Sequence, residues 1–219
     1  MEAPVCVATA RSCAAAYPFR HGGSVASRVS LYPVTETRRE LSVQFAEILA
    51  IPWLLPGLVV WIVLAFALGE VVGRSLRAGP LLGWALVVSL GIVVSATLTP
   101  SHEAIGPGVS DIRYCDYSRI GLAPIEEILK LGDTGLNVLM FIPLGVAIGL
   151  LPRSGRKAAV VAAAIALPFA IEAAQRLVPL LDRACESADI VDNLTGLAIG
   201  LAVGFAAGWL LPGVRHPEG

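Results

Sequence analysis

Charged residues are absent from five long stretches of the chain, and this pattern predicts its architecture. The charge-free windows are residues 48–69, 78–101, 134–152, 158–171 and 193–214. A helix needs about 20 apolar residues to cross the hydrocarbon core of a bilayer. Barrel strands are excluded, because apolar and polar positions alternate in them. The pattern predicts an all-α integral membrane bundle with spans at about 51–70, 80–99, 134–151, 158–178 and 190–211.

Hydropathy also divides the chain into segments. Residues 1–45 have little periodicity, so we interpret them as a disordered tail or as a stretch that precedes the biological start. Residues 46–78 contain the first span, 79–212 form the main membrane domain, and 213–219 are a short tail.

The composition agrees with a membrane protein. Of 219 residues, 56% are hydrophobic and only 15% are charged, against about 25% charged in a typical soluble domain. An ordinary soluble protein cannot cover so much apolar surface with so few charges. The net charge of −1 gives no basic field that would attract nucleic acid. The expected partner is therefore the lipid bilayer, with no nucleic acid.

Basic residues in short loops predict the orientation. The loops at 70–79 and 152–157 are assigned to the cytoplasm, because they contain Arg74, Arg77, Arg153, Arg156 and Lys157. The loops at about 100–133 and 179–189 are then extracytoplasmic, in a multi-pass protein of the cell membrane. Five arginines in the N-terminal tail favour the opposite side, which conflicts with this assignment. In the outer loop, Pro124–Leu131 is typical of a short interfacial helix.

Two of the four cysteines, Cys115 and Cys185, fall in the loops assigned to the outside. A pair in an oxidising compartment can form a disulfide, and two unrelated thiols are the alternative. The sequence has no CxxC pair and no Cys/His spacing typical of a zinc site. We predict neither a metal nor another cofactor.

Polar residues interrupt the apolar spans at three places, and the topology brings all three to one level in the outer leaflet. Ionisable residues within a membrane segment indicate function by default. Helix capping and hydrogen bonds between helices are the structural alternatives. Arg183, in the loop between the last two spans, is either part of this cluster or only the counter-ion of Asp189 or Glu172. The predicted cluster consists of Asp133, Asn137, Glu172, Gln175, Arg183, Asp189 and Asn193.

Small residues predict how the helices pack. The last span contains a glycine at every fourth position, which allows close approach of a second backbone. In the third span, Pro143 removes a backbone donor and Gly145 offers another small surface. The predicted packing residues are Pro143, Gly145, Gly196, Gly200, Gly204 and Gly208.

In this order and at these spacings, the residues resemble the VanZ-like family. The matching pieces are Thr99-Pro100, Asn137-x-x-x-Phe141-x-Pro143-x-Gly145, Glu172-x-x-Gln175, Arg183 and Asp189-x-x-x-Asn193-x-x-Gly196, followed by Gly200. These prokaryotic multi-pass membrane proteins are named after an accessory protein of teicoplanin resistance. The resemblance covers about residues 80–210, so the first span lies outside it. It implies a link to the cell envelope and to antibiotic resistance, and it supplies no catalytic role.

Three functions are compatible with these observations. The first, in which the protein is not an enzyme, is binding or modulation of an envelope lipid, a cell-wall component or a glycopeptide antibiotic through the polar cluster. The second is an enzyme acting on an envelope lipid, with Glu172 or Asp189 as acid or base or as metal ligands. No nucleophile elbow and no HExxH motif supports it. The third is a small transporter or flippase, although five spans show no clear internal repeat.

Overall fold

The computed structural model of the protein describes residues 53–100, 115–130, 132–181 and 183–210. The predicted tail at 1–45 and the short tail at 213–219 lie outside these residues.

Five helices in the described part of the chain are long and apolar enough to cross a membrane, which confirms the predicted bundle. A one-turn helix, α3, stands within the interfacial helix predicted at Pro124–Leu131. A pair of two-residue strands and a 3-10 turn at Pro179–Leu181 complete the described elements. In chain order these are α1 Leu54–Ser75, α2 Pro80–Thr97, β1 Cys115–Asp116, α3 Ile125–Ile128, α4 Asp133–Leu150, α5 Gly155–Leu177, β2 Cys185–Glu186 and α6 Ser187–Leu210.

Two helix boundaries differ from the predicted ones for local reasons. Helix α1 continues to Ser75, and Glu70 and Arg74 form an ion pair one turn apart on its exposed surface. Helix α5 begins earlier than predicted, because the Ser154 side chain accepts a hydrogen bond from the Lys157 backbone N–H at 3.2 Å. Such a side-chain cap satisfies one of the free donors at a helix start.

Helices α4 and α6 pack along each other through their backbones. An added Cβ atom at Gly200 would overlap the carbonyl oxygen of Ile142, and the same holds one turn away in both directions. Gly145 of α4 lies equally close to the backbone of Leu197 in return. The glycines of α6 that contact α4 in this way are Gly196, Gly200 and Gly204, and Gly208 is buried as well.

The apolar core lies among α2, α4, α5 and α6. Its side chains are Leu86, Val93, Phe141, Leu144, Ala147, Ile148, Leu151, Ala164, Ile171 and Leu197.

Helix α1 lies at the edge of the bundle and packs chiefly against α2. Gly69 and Gly83 bring the two backbones together. Most of its remaining surface is exposed and apolar, with Phe66 at 76% exposure. An apolar surface of this kind is suited to contact with lipid, because a membrane-spanning helix needs no polar face.

The two ends of the bundle differ in chemistry. At one end, called the basic end here, short loops connect α1 to α2 and α4 to α5. There the buried Lys157 donates from Nζ to the carbonyl oxygens of Gly149 at 2.6 Å and Leu151 at 2.9 Å. Lys157 also lies 4.1 Å from the centre of the Phe205 ring. This residue, whose charge the sequence offers only as an orientation signal, therefore satisfies the free carbonyls at the end of α4. The opposite end, where α4 and α6 begin, is called the polar end below.

Candidate functional site

A parallel strand pair fastens two connecting segments together at the polar end. Cys115 pairs with Cys185, and Asp116 pairs with Glu186. A disulfide joins the two cysteines, whose Cα atoms are 4.6 Å apart. The segment before α3 is thus tied to the start of α6, and two acidic side chains stand next to each other.

An ion pair fixes the same segment to α6 a few residues further on. Arg119 donates from Nη1 and Nη2 to the two carboxylate oxygens of Asp192, at 3.0 and 2.5 Å. Asp192 is only 2% exposed. The backbone oxygen of Arg119 accepts a hydrogen bond from the Ser187 hydroxyl at 2.8 Å. The bidentate bond with the buried carboxylate raises the pKa of Arg119 above its ordinary value.

Two of the predicted polar residues bond each other across the α4–α6 interface. The Asn137 side-chain amide donates from Nδ2 to the Asp189 carboxylate at 2.6 Å. Glu172 of α5 accepts, through Oε2, a hydrogen bond from the Glu186 backbone N–H at 2.7 Å. Asp189 therefore links α4 to α6, and Glu172 links α5 to the strand that precedes α6.

The end of α2 and the residues just after it contribute carbonyl oxygens to the cluster, because the last carbonyls of a helix have no partner within it. The Gln175 amide donates from Nε2 to the Thr97 carbonyl at 3.1 Å. Arg183 donates from Nε to the Thr99 carbonyl at 3.3 Å. Burial lowers the pKa of Arg183 from its ordinary value.

Three side-chain oxygens of the cluster are buried without a hydrogen-bond partner among the described residues: Oε1 of Glu172, Oε1 of Gln175 and Oδ1 of Asn193. Leaving such an acceptor unpaired costs free energy, so it is uncommon in folded proteins. The amide oxygens of Gln175 and Asn193 can only accept a hydrogen bond, and an ionised Glu172 carboxylate likewise accepts. A ligand able to donate to them would recover part of that cost.

Two neighbouring cavities open at the polar end. The smaller, of about 330 Å³, has a mainly polar lining. The larger, of about 580 Å³, has a mainly apolar lining with polar residues on part of its wall. Asp133, Glu186 and Asp189 line both. The other residues that line the larger cavity include Leu54, Ile92, Ala96, Leu136, Asn137, Leu139, Met140, Pro143, Gln175 and Arg183.

The larger cavity reaches down the bundle along α4. Pro143 lies ten residues after Asp133, which corresponds to about 15 Å along a helix axis. This distance is about half the thickness of the hydrocarbon core. Helix α4 continues through Pro143, whose side chain is exposed on the cavity wall rather than packed between helices.

All seven residues of the predicted cluster lie at the polar end, although in different settings. Asp133 is exposed and lines both cavities, whereas Asn193 is only 1% exposed. One interpretation made Arg183 the counter-ion of Asp189 or Glu172, but it forms a salt bridge with neither of them. The partner of Glu172 is a backbone amide instead.

The predicted cluster includes neither Arg119 nor Asp192, which form an ion pair in the site. The sequence could have indicated Asp192, since it is a carboxylate next to Asn193 at the polar start of an apolar helix. Nothing in the sequence pattern indicated Arg119, because it stands in an irregular loop. Within the described ranges, no three of the His, Cys, Asp and Glu side chains are arranged to hold a metal ion.

Comparison with known proteins identifies one family. The family described as VanZ/LLP1 matches residues 86–208, which is more than half of the chain. The match includes most of α2 and all seven residues of the predicted polar cluster, and it leaves α1 outside. No curated protein and no solved structure matches the chain. The chain is therefore a multi-pass membrane protein that belongs to the VanZ/LLP1 family.

Proposed function

We propose that the protein binds an amphiphile of the cell envelope, whose apolar part occupies the larger cavity and whose head meets the polar cluster. The observation that carries this proposal is the lining of that cavity. Leu136, Leu139 and Met140 give it an apolar wall, while Asp189 and Arg183 give it polar groups. Pockets that bind small molecules combine these features.

The depth of the cavity supports an amphiphile rather than a fully water-soluble ligand. Its wall follows α4 from the helix start at Asp133 to Pro143, about 15 Å deeper by the rise of a helix. An acyl chain or another lipid tail can follow such a wall while its head stays near the membrane surface.

We place the polar end outside the cytoplasm of the cell membrane. A disulfide between Cys115 and Cys185 is favoured in an oxidising compartment. The arginines in or beside the short loops at the basic end, Arg74, Arg77, Arg153 and Arg156, favour the cytoplasm for that end. The ligand then comes from the outer leaflet: an envelope lipid, a lipid-linked cell-wall precursor or a lipidated glycopeptide such as the family name implies.

The test compares a cavity-filling variant with a matched surface variant. Ala96→Phe places an aromatic ring in the larger cavity, whereas Ala166→Phe adds the same ring on an exposed face of α5. Native mass spectrometry of purified protein, incubated with polar lipid extract, measures the bound lipid. We expect Ala96→Phe to weaken binding at least about tenfold, which is about 1.4 kcal/mol. Equal binding by the wild type and both variants would contradict the proposal.

The same variants connect binding to the cell. In a deletion strain complemented at matched membrane levels, Ala166→Phe is expected to restore the wild-type susceptibility to teicoplanin. Ala96→Phe is expected to behave as the deletion does. If both variants restore the phenotype equally, teicoplanin susceptibility does not depend on a ligand in this cavity.

A second candidate function, catalysis on the bound lipid, has one observation in its favour. Glu172 is 6% exposed, and its Oε1 atom has no hydrogen-bond partner among the described residues. A buried carboxyl of this kind is a candidate general acid or base. A lipid product that forms with time, and that Glu172→Gln abolishes, would assign catalysis to the site.

A further inference from the structure

Acidic side chains outnumber basic ones around the smaller cavity, and the arginine among them is bonded to an acid outside it. Asp116, Asp133, Glu186 and Asp189 line the smaller cavity together with Arg119. Arg119 donates both of its terminal nitrogens to Asp192, which lines neither cavity. Four carboxylates therefore face this space, and their sum favours a positively charged group there.

A buried amide gives a second and independent sign of a ligand. Gln175 lines the larger cavity, is only 7% exposed, and uses Nε2 to bond the Thr97 carbonyl. Its Oε1 atom has no hydrogen-bond partner among the described residues. This oxygen can be satisfied only by a group that brings a hydrogen, such as an N–H or O–H.

A cation lies on the wall of the same cavity. Arg183 lines the larger cavity with Asp133, Glu186 and Asp189. Its Nε atom bonds Thr99, and within the described part of the chain its two terminal nitrogens make no hydrogen bond. A guanidinium group with free donors binds phosphate well.

We propose that the head of the ligand is a phosphate linked to a primary ammonium group, as in an aminoethyl phospholipid. The ammonium group meets the carboxylates and donates to Gln175, while the phosphate meets Arg183. This inference rests on the proposed function, since it names the head of the amphiphile bound there. A trimethylammonium head has the same charge but no N–H, so it cannot satisfy Oε1 of Gln175. A glycerol head has donors but no positive charge.

The experiment measures binding of three phospholipids with identical acyl chains to the purified full-length protein in detergent, by native mass spectrometry with lipid titration. The lipids are phosphatidylethanolamine, phosphatidylcholine and phosphatidylglycerol. We expect phosphatidylethanolamine to bind at least about tenfold more tightly than the other two, as expected for charge-assisted hydrogen bonds.

Variants at the head site sharpen the result. Asp189→Asn retains an acceptor for Asn137 but removes a negative charge. Gln175→Met keeps a similar shape but removes both the unpaired oxygen and the amide that bonds Thr97. Each is expected to reduce the preference for phosphatidylethanolamine over phosphatidylcholine several-fold. Glu126→Gln is the control, because Glu126 is exposed at the same end and lines neither cavity. Thermal unfolding establishes that the variants are folded.

The outcomes separate this inference from the proposed function. Equal binding of the three lipids, with all three weakened by Ala96→Phe, would overturn the head assignment and leave the amphiphile site in place. Tighter binding of phosphatidylglycerol or phosphatidylcholine would overturn it as well. If none of the three lipids binds, this inference fails, and the proposed function fails as well only if no component of the polar lipid extract binds. A preference for phosphatidylethanolamine that Glu126→Gln keeps and Asp189→Asn loses supports it.

Discussion

Helices α4 and α6 meet in two different ways along their length. In the middle of the bundle, glycines such as Gly200 and Gly145 bring the two backbones into contact, and no polar side chain takes part. At the polar end the same helices are joined by side chains, through the hydrogen bond from Asn137 to Asp189. The first region consists of similar small contacts repeated every turn. The second depends on a few links of different kinds, so the loss of one should have a larger effect.

The two regions also differ in what they leave unsatisfied. The glycine contacts involve helical backbone whose hydrogen bonds are made within each helix. Of the four buried side-chain atoms without a partner among the described residues, three belong to the polar end: those of Glu172, Gln175 and Asn193. The fourth is Nε1 of Trp84. Burying polar groups in a membrane protein costs free energy, and some of those at the polar end lack a hydrogen-bond partner among the described residues. The polar end is therefore the better candidate for binding a ligand.

The largest effect on stability is expected from breaking the ion pair at the polar end. Arg119→Met leaves the Asp192 carboxylate buried at 2% exposure without its cation. Removing one partner of a buried pair costs about 3–5 kcal/mol. The free energy of unfolding in mixed detergent micelles measures this cost. The double variant Arg119→Met/Asp192→Leu should recover much of it, because no buried charge is then left alone. A single variant as stable as the wild type would show that the pair contributes little.

An intermediate effect is expected from the disulfide that ties the two loops together. Cys115 and Cys185 are 70 residues apart in the sequence, so the bridge restricts a long segment of the unfolded chain. Replacing both by serine is expected to cost about 2–4 kcal/mol. The comparison is made by unfolding the double variant and the wild type with and without reductant. Reductant should affect the wild type alone, and an equal effect on both proteins would contradict the role assigned to this bridge.

The smallest of these effects is expected in the glycine contact. Gly200→Ala adds a Cβ atom that would overlap the Ile142 carbonyl, so the helices must separate slightly. Overpacking of this kind costs about 1–3 kcal/mol. Gly155→Ala is the matched control, since nothing lies within 4 Å of an added Cβ there. If the two alanine variants unfold at the same temperature, close backbone contact is not what holds α4 and α6 together.

The sequence was informative where the signal is local. An apolar window of about the length that a spanning helix needs predicts a span without any knowledge of its neighbours. The glycines of the last span predicted a packing face, and that face contacts α4. The polar interruptions at Asn137, Glu172 and Asp189 predicted a common level, because the direction of each span follows from the one before it.

The sequence was less informative about partners. One of the two interpretations of Arg183 made it the counter-ion of Asp189 or Glu172, whereas among the described residues it is Arg119 that pairs with a buried acid at this end. Pro143 was expected among the packing residues and instead lines the larger cavity. In both cases the property that matters is the position of one segment relative to another, which residue spacing within one helix does not report.

By itself, the sequence determined the membrane location, the five spans, the glycine face and the level of the polar residues. All of these depend on short-range properties, namely apolar length and helical periodicity. Only the tertiary structure decided that Arg119 reaches Asp192, that Glu172 bonds the Glu186 backbone, and that two cavities open beside them. The physical reason is that these partners meet through connecting segments that the strand pair and the disulfide hold in place. The position of such segments depends on contacts between residues far apart in the chain.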